Sequence, residues 1–412
     1  MTTRSKSRLN RWASILGITS LLAGGASLLN LIANILISRA LPTEEVGAYA
    51  LLIAIVQLIM LLGSLGQPTL IKRHYSARPQ GTFNWKADFR ITMRFTLPVL
   101  CIISIIVVLL YRLDFQRGTF VVLGGALLVA IVSLVDVFNS QRLYTWASLI
   151  LRLPTTCVII PAILGALFPR YARLDLLLIT VLSAAALTLI IGWRVLSAKI
   201  SSGTERVPLS VRGQGLNFTV LAATTLLPSQ GLISIAGLIA PEMALAAYGA
   251  LAVLTRPFFL IRELLSQIMF VEVSRDQNLK HTRIILGLCS SIFFFAIGAI
   301  ILLPPFASFV YNWRYIEYHD LITPLTIIAS LLVTEIFPRS YMSARAAKRT
   351  LQRYTTADGL IAISGLILVL GLGLWLGIRG IAWAGVVLMV LRNLSAYAIY
   401  AYVRFRSHRP AT

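Results

Sequence analysis

The sequence predicts an all-α polytopic membrane protein of about twelve transmembrane helices in two pseudo-symmetric six-helix lobes, and three observations carry that reading. Of its 412 residues 58% are hydrophobic and 13% charged, with a mean hydropathy of +0.83, too little polar surface to coat a soluble globule of this size. The apolar runs reach the ~20 residues that cross a bilayer as a helix, and they lack the period-two alternation of a barrel strand. The third observation is a repeat. Shifting the stretch Ser38 to Tyr49 by 199 positions puts Pro42 on Pro241, Ala48 on Ala247, Tyr49 on Tyr248 and Leu52 on Leu251, with Gly47 and Ala50 on the small residues Ala246 and Gly249.

Each copy of that stretch is a hinge between two apolar helices. Proline suits the first helical position, where its missing N–H costs nothing, and acids follow at once: Glu44 and Glu45 in one copy, Glu242 in the other. Around the hinges the expected spans are 13–38, 43–65, 91–111, 118–140, 145–168 and 174–197, then 214–238, 242–268, 284–307, 319–338, 356–377 and 380–402. The first span is too long for the apolar core of a cleavable signal. The domain organisation that follows is an N-terminal lobe over 1–197, a linker over 198–213 containing Ser201, Ser202, Gly203 and Pro208, and a C-terminal lobe over 214–412.

Charge sets an orientation. The formal net charge is +22, and the segments on the side of the termini hold 28 basic residues against 7 on the opposite side: Arg39, Arg112, Arg117, Arg170, Arg173, Arg314 and Arg379. Short loops with that bias place both termini and the linker in the cytoplasm. Basic residues interleaved with apolar runs are explained by membrane topology, so no nucleic-acid partner is expected. Cys101, Cys157 and Cys289 fall in apolar runs at no metal-ligand spacing. The four histidines have no acid or nucleophile paired with them, no phosphate-binding glycine loop occurs, and no loop is long enough for a catalytic domain. The chain is therefore expected to be no enzyme, with no cofactor and no metal.

Deep polar residues are the candidates for function, because a charge at a helix centre costs at least ~2.5–3.5 kcal/mol. Arg256 lies about fifteen residues into its span, roughly 22 Å from the hinge-side surface, and Arg392 lies near mid-depth of the last span. The acids do not obviously match them: Glu335 is one turn from Arg339, Asp136 and Glu263 are near span ends, and Asp358 begins a span. Arg256 and Arg392 are thus candidates to face a water-filled cavity and an anionic substrate, the alternative being a structural pairing with carbonyls or with an acid carried inward by a bent helix. Gln57 stands where Arg256 stands in the other half, and Asn30, Asn34 and Gln230 add neutral hydrogen-bonding groups nearer the hinge side, with interhelical bonding the commoner use of such amides. Pro228 and Pro257 interrupt the seventh and eighth spans. The aromatics Trp193, Trp375, Trp383, Tyr248 and Tyr397 are candidates for stacking on sugars, although packing and interface anchoring are the commoner fates.

Four stretches carry a family resemblance: the hinge Ser38 to Tyr49, the segment Ser64 to Arg73, Ala247-Tyr248-Gly249-Ala250 with Arg256, and Gly377-Ile378-Arg379-Gly380-Ile381-Ala382-Trp383-Ala384. Together they resemble the Wzx-type O-antigen and exopolysaccharide flippases, polysaccharide-biosynthesis proteins of the multidrug/oligosaccharidyl-lipid/polysaccharide exporter superfamily. The resemblance implies two lobes around a central cavity open alternately to the two faces of the bacterial inner membrane. Its implied substrate is a polyprenyl-diphosphate-linked oligosaccharide carried outward for O-antigen, capsule or exopolysaccharide synthesis. Membrane lipids, a coupling ion, and a polysaccharide polymerase or glycosyltransferases are the other partners it brings into view. Arg256 matches a basic position in the family's eighth helix and Arg39 the arginine of its first hinge, whereas Val271 stands where many relatives have proline. The rival expectations are an ion-coupled drug exporter of the same superfamily, which would want deep carboxylates, and a membrane polymerase or ligase, which would want larger outer loops.

Overall fold

The structure is a computed structural model in which residues 3–76, 78, 81–201, 203–275, 281–346 and 348–407 are described. Its N-terminal lobe is built from α1 (Thr3–Ala40), α2 (Thr43–Gly63), the short α3 (Gln67–Ser76), α4 (Trp85–Leu110), α5 (Phe115–Ser140), the broken pair α6 (Tyr144–Thr156) and α7 (Ile159–Leu167), and α8 (Leu174–Lys199). After a one-turn α9 (Leu209–Arg212), the second lobe follows with α10 (Gly215–Leu226) and α11 (Leu232–Ile239), joined by a π-turn over Leu227–Gly231. It continues with α12 (Glu242–Leu254), α13 (Arg256–Arg275), α14 (His281–Val310), α15 (Ile322–Thr334), α16 (Ile336–Arg345) and α17 (Lys348–Ser407).

Nine of the helical segments are long and apolar enough to cross a membrane, or ten with Glu242–Leu254 and Arg256–Arg262 as one bent span, among the described residues. The 60-residue α17 is two spans. Gly377 has φ 62° and ψ −142°, a left-handed conformation that glycine adopts without Cβ strain, and the arms fold back so that Gly365 packs on Leu388 and Gly373 on Ile381. With its arms counted apart and α1 added, the twelve expected spans are present.

The breaks follow the prolines. Pro228 lies inside the π-turn, where its missing N–H leaves the helix ladder to widen. Pro257 is the second residue of α13, and α12 and α13 meet at 52° across Thr255. Pro338 similarly stands at the third position of α16, after the break at Glu335. In α13 the helix continues past Val271 to Arg275, so the absence of proline there leaves that end unbroken.

The repeat shows in backbone detail. Pro42 and Pro241 start α2 and α12 with φ, ψ of −54°, 150° and −59°, 151°. The third span of each lobe ends in the same left-handed cap, with φ 50° at Arg112 and 51° at Asn312, and with Leu113 N–H donating to Val108 O and Trp313 N–H to Ser308 O, both at 3.0 Å. The main core runs between the lobes along α2 and α12, through Leu52, Ile55, Val56, Ala246, Tyr248 and Leu251.

We call the end of the bundle bearing Pro42 and Pro241 the hinge face and the opposite end the linker face. The linker is bound to the first lobe: Phe83 bridges Glu205, Asn84 N–H donates to Glu205 O at 2.7 Å, and Asp88, almost fully buried, accepts from Arg212 Nη2 at 2.6 Å and Tyr75 Oη at 2.8 Å. Arg212 also donates to Gln67 Oε1 at 3.2 Å. Ser202 and His408 lie outside the described residues.

Candidate functional site

The bend at Thr255 frees the first turn of α13 from the line of α12 and places Arg256 at its start, aimed across the lobe boundary at α1. Its Nη1 donates to Asn30 Oδ1. The same oxygen accepts from Asn34 Nδ2 at 2.7 Å, and Asn30 Nδ2 donates to Thr155 O in α6 at 3.2 Å. Three of the expected residues, Arg256, Asn30 and Asn34, therefore meet at one place. Thr155 completes the group, and its backbone role gave the sequence no side-chain signal. The hydroxyls of Tyr49 and Tyr311 lie within electrostatic reach of the guanidinium, and among the described residues no carboxylate is paired with it. A deep cation held only by neutral oxygens retains most of its attraction for an anion.

Gln57 and Gln230 are half-buried, and neither side chain has a hydrogen bond among the described residues. Gln230 sits in the π-turn, where its carbonyl accepts from Ser234 Oγ at 3.0 Å. Arg39 lies apart, at the hinge face, where it bonds the end of α14: Nε donates to Val310 O at 2.6 Å and Nη2 to Phe309 O at 3.1 Å.

Arg392 departs from the expectation. Its side chain is fully buried, with Nη2 on Glu335 Oε1 at 2.7 Å, Nε on Asp358 Oδ1 at 3.0 Å and Nη1 on Thr224 O. Glu335 Oε1 also takes Arg339 Nη1 at 2.6 Å, as the one-turn spacing implied. The expectation that no acid reaches Arg392 fails because α17 begins at Lys348, well before the expected span start, so Asp358 lies ten residues inside the helix and level with Arg392 on the returning arm. Two guanidinium and two carboxylate groups there balance each other within the C-terminal lobe, leaving Arg392 no open face for a substrate. The aromatics mostly pack or face outward: Trp193 lies edge-on to Trp85 and Phe89, Tyr248 is buried, Tyr397 Oη donates to Thr334 O at 2.7 Å, and Trp375 and Trp383 are exposed.

Arg314 is the residue that sequence reasoning passed over. It donates through Nη1 to Ser38 O and Leu41 O and through Nη2 to Thr43 Oγ1, tying the C-terminal lobe to the end of α1. Its signal was present: it is one of the few basic residues on the side that the charge bias leaves poor in them.

No family model matches the sequence, and no curated protein does. Solved structures do match it in fold. The lipid II flippase MurJ in an inward closed conformation aligns over 96% of this chain and 93% of its own, at 13% identity and a TM-score of 0.64. A MATE transporter in complex with MaL6 aligns over 95% of both chains at 13% identity and a TM-score of 0.65. The Vibrio cholerae MATE transporter VcmN, as a mutant, aligns over 99% of both at 11% identity and a TM-score of 0.63. The chain shares the fold of these membrane transporters, and at such identities the likeness extends to the fold alone.

Proposed function

We propose that this protein is a flippase that carries a polyprenyl-diphosphate-linked oligosaccharide from the cytoplasmic to the outer leaflet of a bacterial inner membrane by alternating access. The observation that supports it is Arg256: a deep guanidinium at the lobe boundary, bonded to Asn30 and paired with no carboxylate among the described residues. A diphosphate needs such a cation with neutral donors beside it, while a polyprenyl tail stays in lipid. In this reading Asn34, Gln57 and Gln230 supply hydrogen bonds to the head group, and the linker face is cytoplasmic. Arg392 is assigned a structural role instead. The fold of a lipid II flippase agrees with a lipid-linked cargo.

MATE transporters fit the chain equally well, and this favours a second reading, an ion-coupled exporter of small molecules. Two assays separate the readings. Arg256→Ala should abolish export of lipid-linked sugar while the protein inserts at normal levels, and Arg256→Lys should keep part of it, since an ammonium retains the charge without the fork that matches phosphate oxygens. Normal export by Arg256→Ala, or extrusion of cationic dyes by the unmodified protein, overturns the flippase reading.

A further inference from the structure

We propose that Arg39 and Arg314 form a second phosphate-binding station at the hinge face, shared between the lobes and occupied in this state by helix carbonyls; the assignment rests on the flippase reading. The two arginines exchange partners. Arg39, at the end of α1, caps the last carbonyls of α14, those of Phe309 and Val310. Arg314, just beyond α14, caps α1 and its hinge through Ser38 O, Leu41 O (3.1 Å) and Thr43 Oγ1 (2.5 Å). Every one of these bonds crosses from one lobe to the other, so all must break when the hinge face opens.

The acceptors are uncharged. Among the described residues no carboxylate is bonded to either arginine, and Asp320, on the neighbouring turn, is taken by Arg379 at 2.5 Å. A phosphate oxygen forms a charge-assisted bond roughly twice as strong as a neutral one, and it matches the guanidinium fork. A diphosphate arriving from below therefore displaces the carbonyls, and the freed helix ends are solvated at the membrane surface. Asn30 and Arg39 are nine residues apart on α1, about 13 Å along one helix, so the cargo passes from one cationic station to the next without leaving α1. The charge bias argues in the same direction: basic residues are scarce on this face, yet two of the few meet here. The clasp and the exit site are the same groups, and loaded cargo is what opens the gate.

The test uses the full chain, purified into nanodiscs, with Cys101, Cys157 and Cys289 replaced and Leu41→Cys, which is 3% exposed in the closed state, as a reporter. Inorganic pyrophosphate should raise the maleimide labelling rate severalfold, while sulfate at equal ionic strength should not. Arg39→Gln and Arg314→Gln should label fast from the outset and lose the pyrophosphate response. Calorimetry supplies a second measurement that needs no reporter: pyrophosphate should still bind to Arg256→Gln, and should cease to bind when Arg39→Gln and Arg314→Gln are added. An unchanged rate in the parent, or a response that survives in the clasp variants, overturns the proposal. Normal export by Arg256→Ala sinks the flippase reading without touching these measurements, so the two failures are distinguishable.

Discussion

Gly249 lies against Ala50, its own counterpart 199 positions earlier, so closely that a Cβ on Gly249 would fall 2.6 Å from the Cβ of Ala50. Gly47 meets its counterpart in the same way, with a Cβ there 3.5 Å from Ala246 N and 3.3 Å from Glu242 O. Residues that touch their own repeat mates lie on the symmetry axis, so the pseudo-two-fold runs between α2 and α12 along their common direction. The contact also joins the lobes just beneath the hinge face.

Any side chain added at that axis must wedge the lobes apart. Gly249→Leu should lower the thermal midpoint of the purified protein by an amount equivalent to about 1–3 kcal/mol of overpacking. Gly371, with nothing within 4 Å of its Cβ position, is the control. Gly371→Ala should be neutral or stabilise by up to about 1 kcal/mol through helix propensity. Equal melting of the two variants would mean that α2 and α12 do not hold the lobes together.

The buried cluster in the C-terminal lobe should behave as a structural unit. Arg392→Ala leaves Glu335 and Asp358 without their shared cation and should cost about 3–5 kcal/mol, seen as a loss of folded yield. Neutralising the whole cluster, with Arg392→Met, Arg339→Met, Glu335→Gln and Asp358→Asn, should restore most of that yield. If the single variant folds normally and only transport fails, Arg392 is a ligand after all.

The halves, the spans and the bend at Thr255 were legible in the sequence because each depends on local features: apolar run length, the Pro42 and Pro241 hinges, and Pro257 two residues after the break. The partners of Arg392 were not. Asp358 depends on the register of the hairpin about Gly377, which brings it level with Arg392 although 34 positions separate them, and Glu335 on the packing of that hairpin against the break between α15 and α16. Arg314 was marked in the sequence by its scarcity on that side, but its partners were not, since two of its three acceptors are backbone carbonyls in the other lobe. Asp88 and Arg212 meet only because the linker folds onto α3 and α4.

Acid should loosen the linker face at α3. Burial first, and the Arg78 guanidinium next, hold the His74 pKa below its ordinary value of about 6.5, and its Nε2 is buried without a partner. The unfolded chain therefore binds the proton more readily. Stability is fully present above about pH 6.5, declines as the pH falls through that value, and levels off below the folded pKa. Thermal midpoints measured between pH 8 and pH 5 should show the decline, and His74→Gln should flatten it. An identical profile for the variant would assign the acid sensitivity elsewhere.

The charge bias predicts that Lys6, Ser202 and His408 are all cytoplasmic. Cysteines placed there should resist impermeant reagents in intact cells and react once the membrane is opened. Labelling of any one from outside would invert or break the topology, and with it the direction proposed for transport.

Asn30 offers the sharpest separation of a ligand from a strut, because its Oδ1 is the acceptor that holds Arg256 across the lobe boundary. Asn30→Asp is nearly isosteric and places a tethered carboxylate against the guanidinium. If Arg256 exists to brace α1 against α13, the new ion pair preserves the brace even though the bond from Asn30 Nδ2 to Thr155 O is lost, and transport should continue. If Arg256 exists to receive a diphosphate, the carboxylate competes for the same fork at an effective concentration that free cargo cannot match, and export should fall at least as far as in Arg256→Ala while folded yield stays normal. Asn30→Ala provides the contrast: it removes the acceptor, leaves the cation free, and should keep measurable export. Export by Asn30→Asp at the parent's rate would rule out Arg256 as the phosphate ligand.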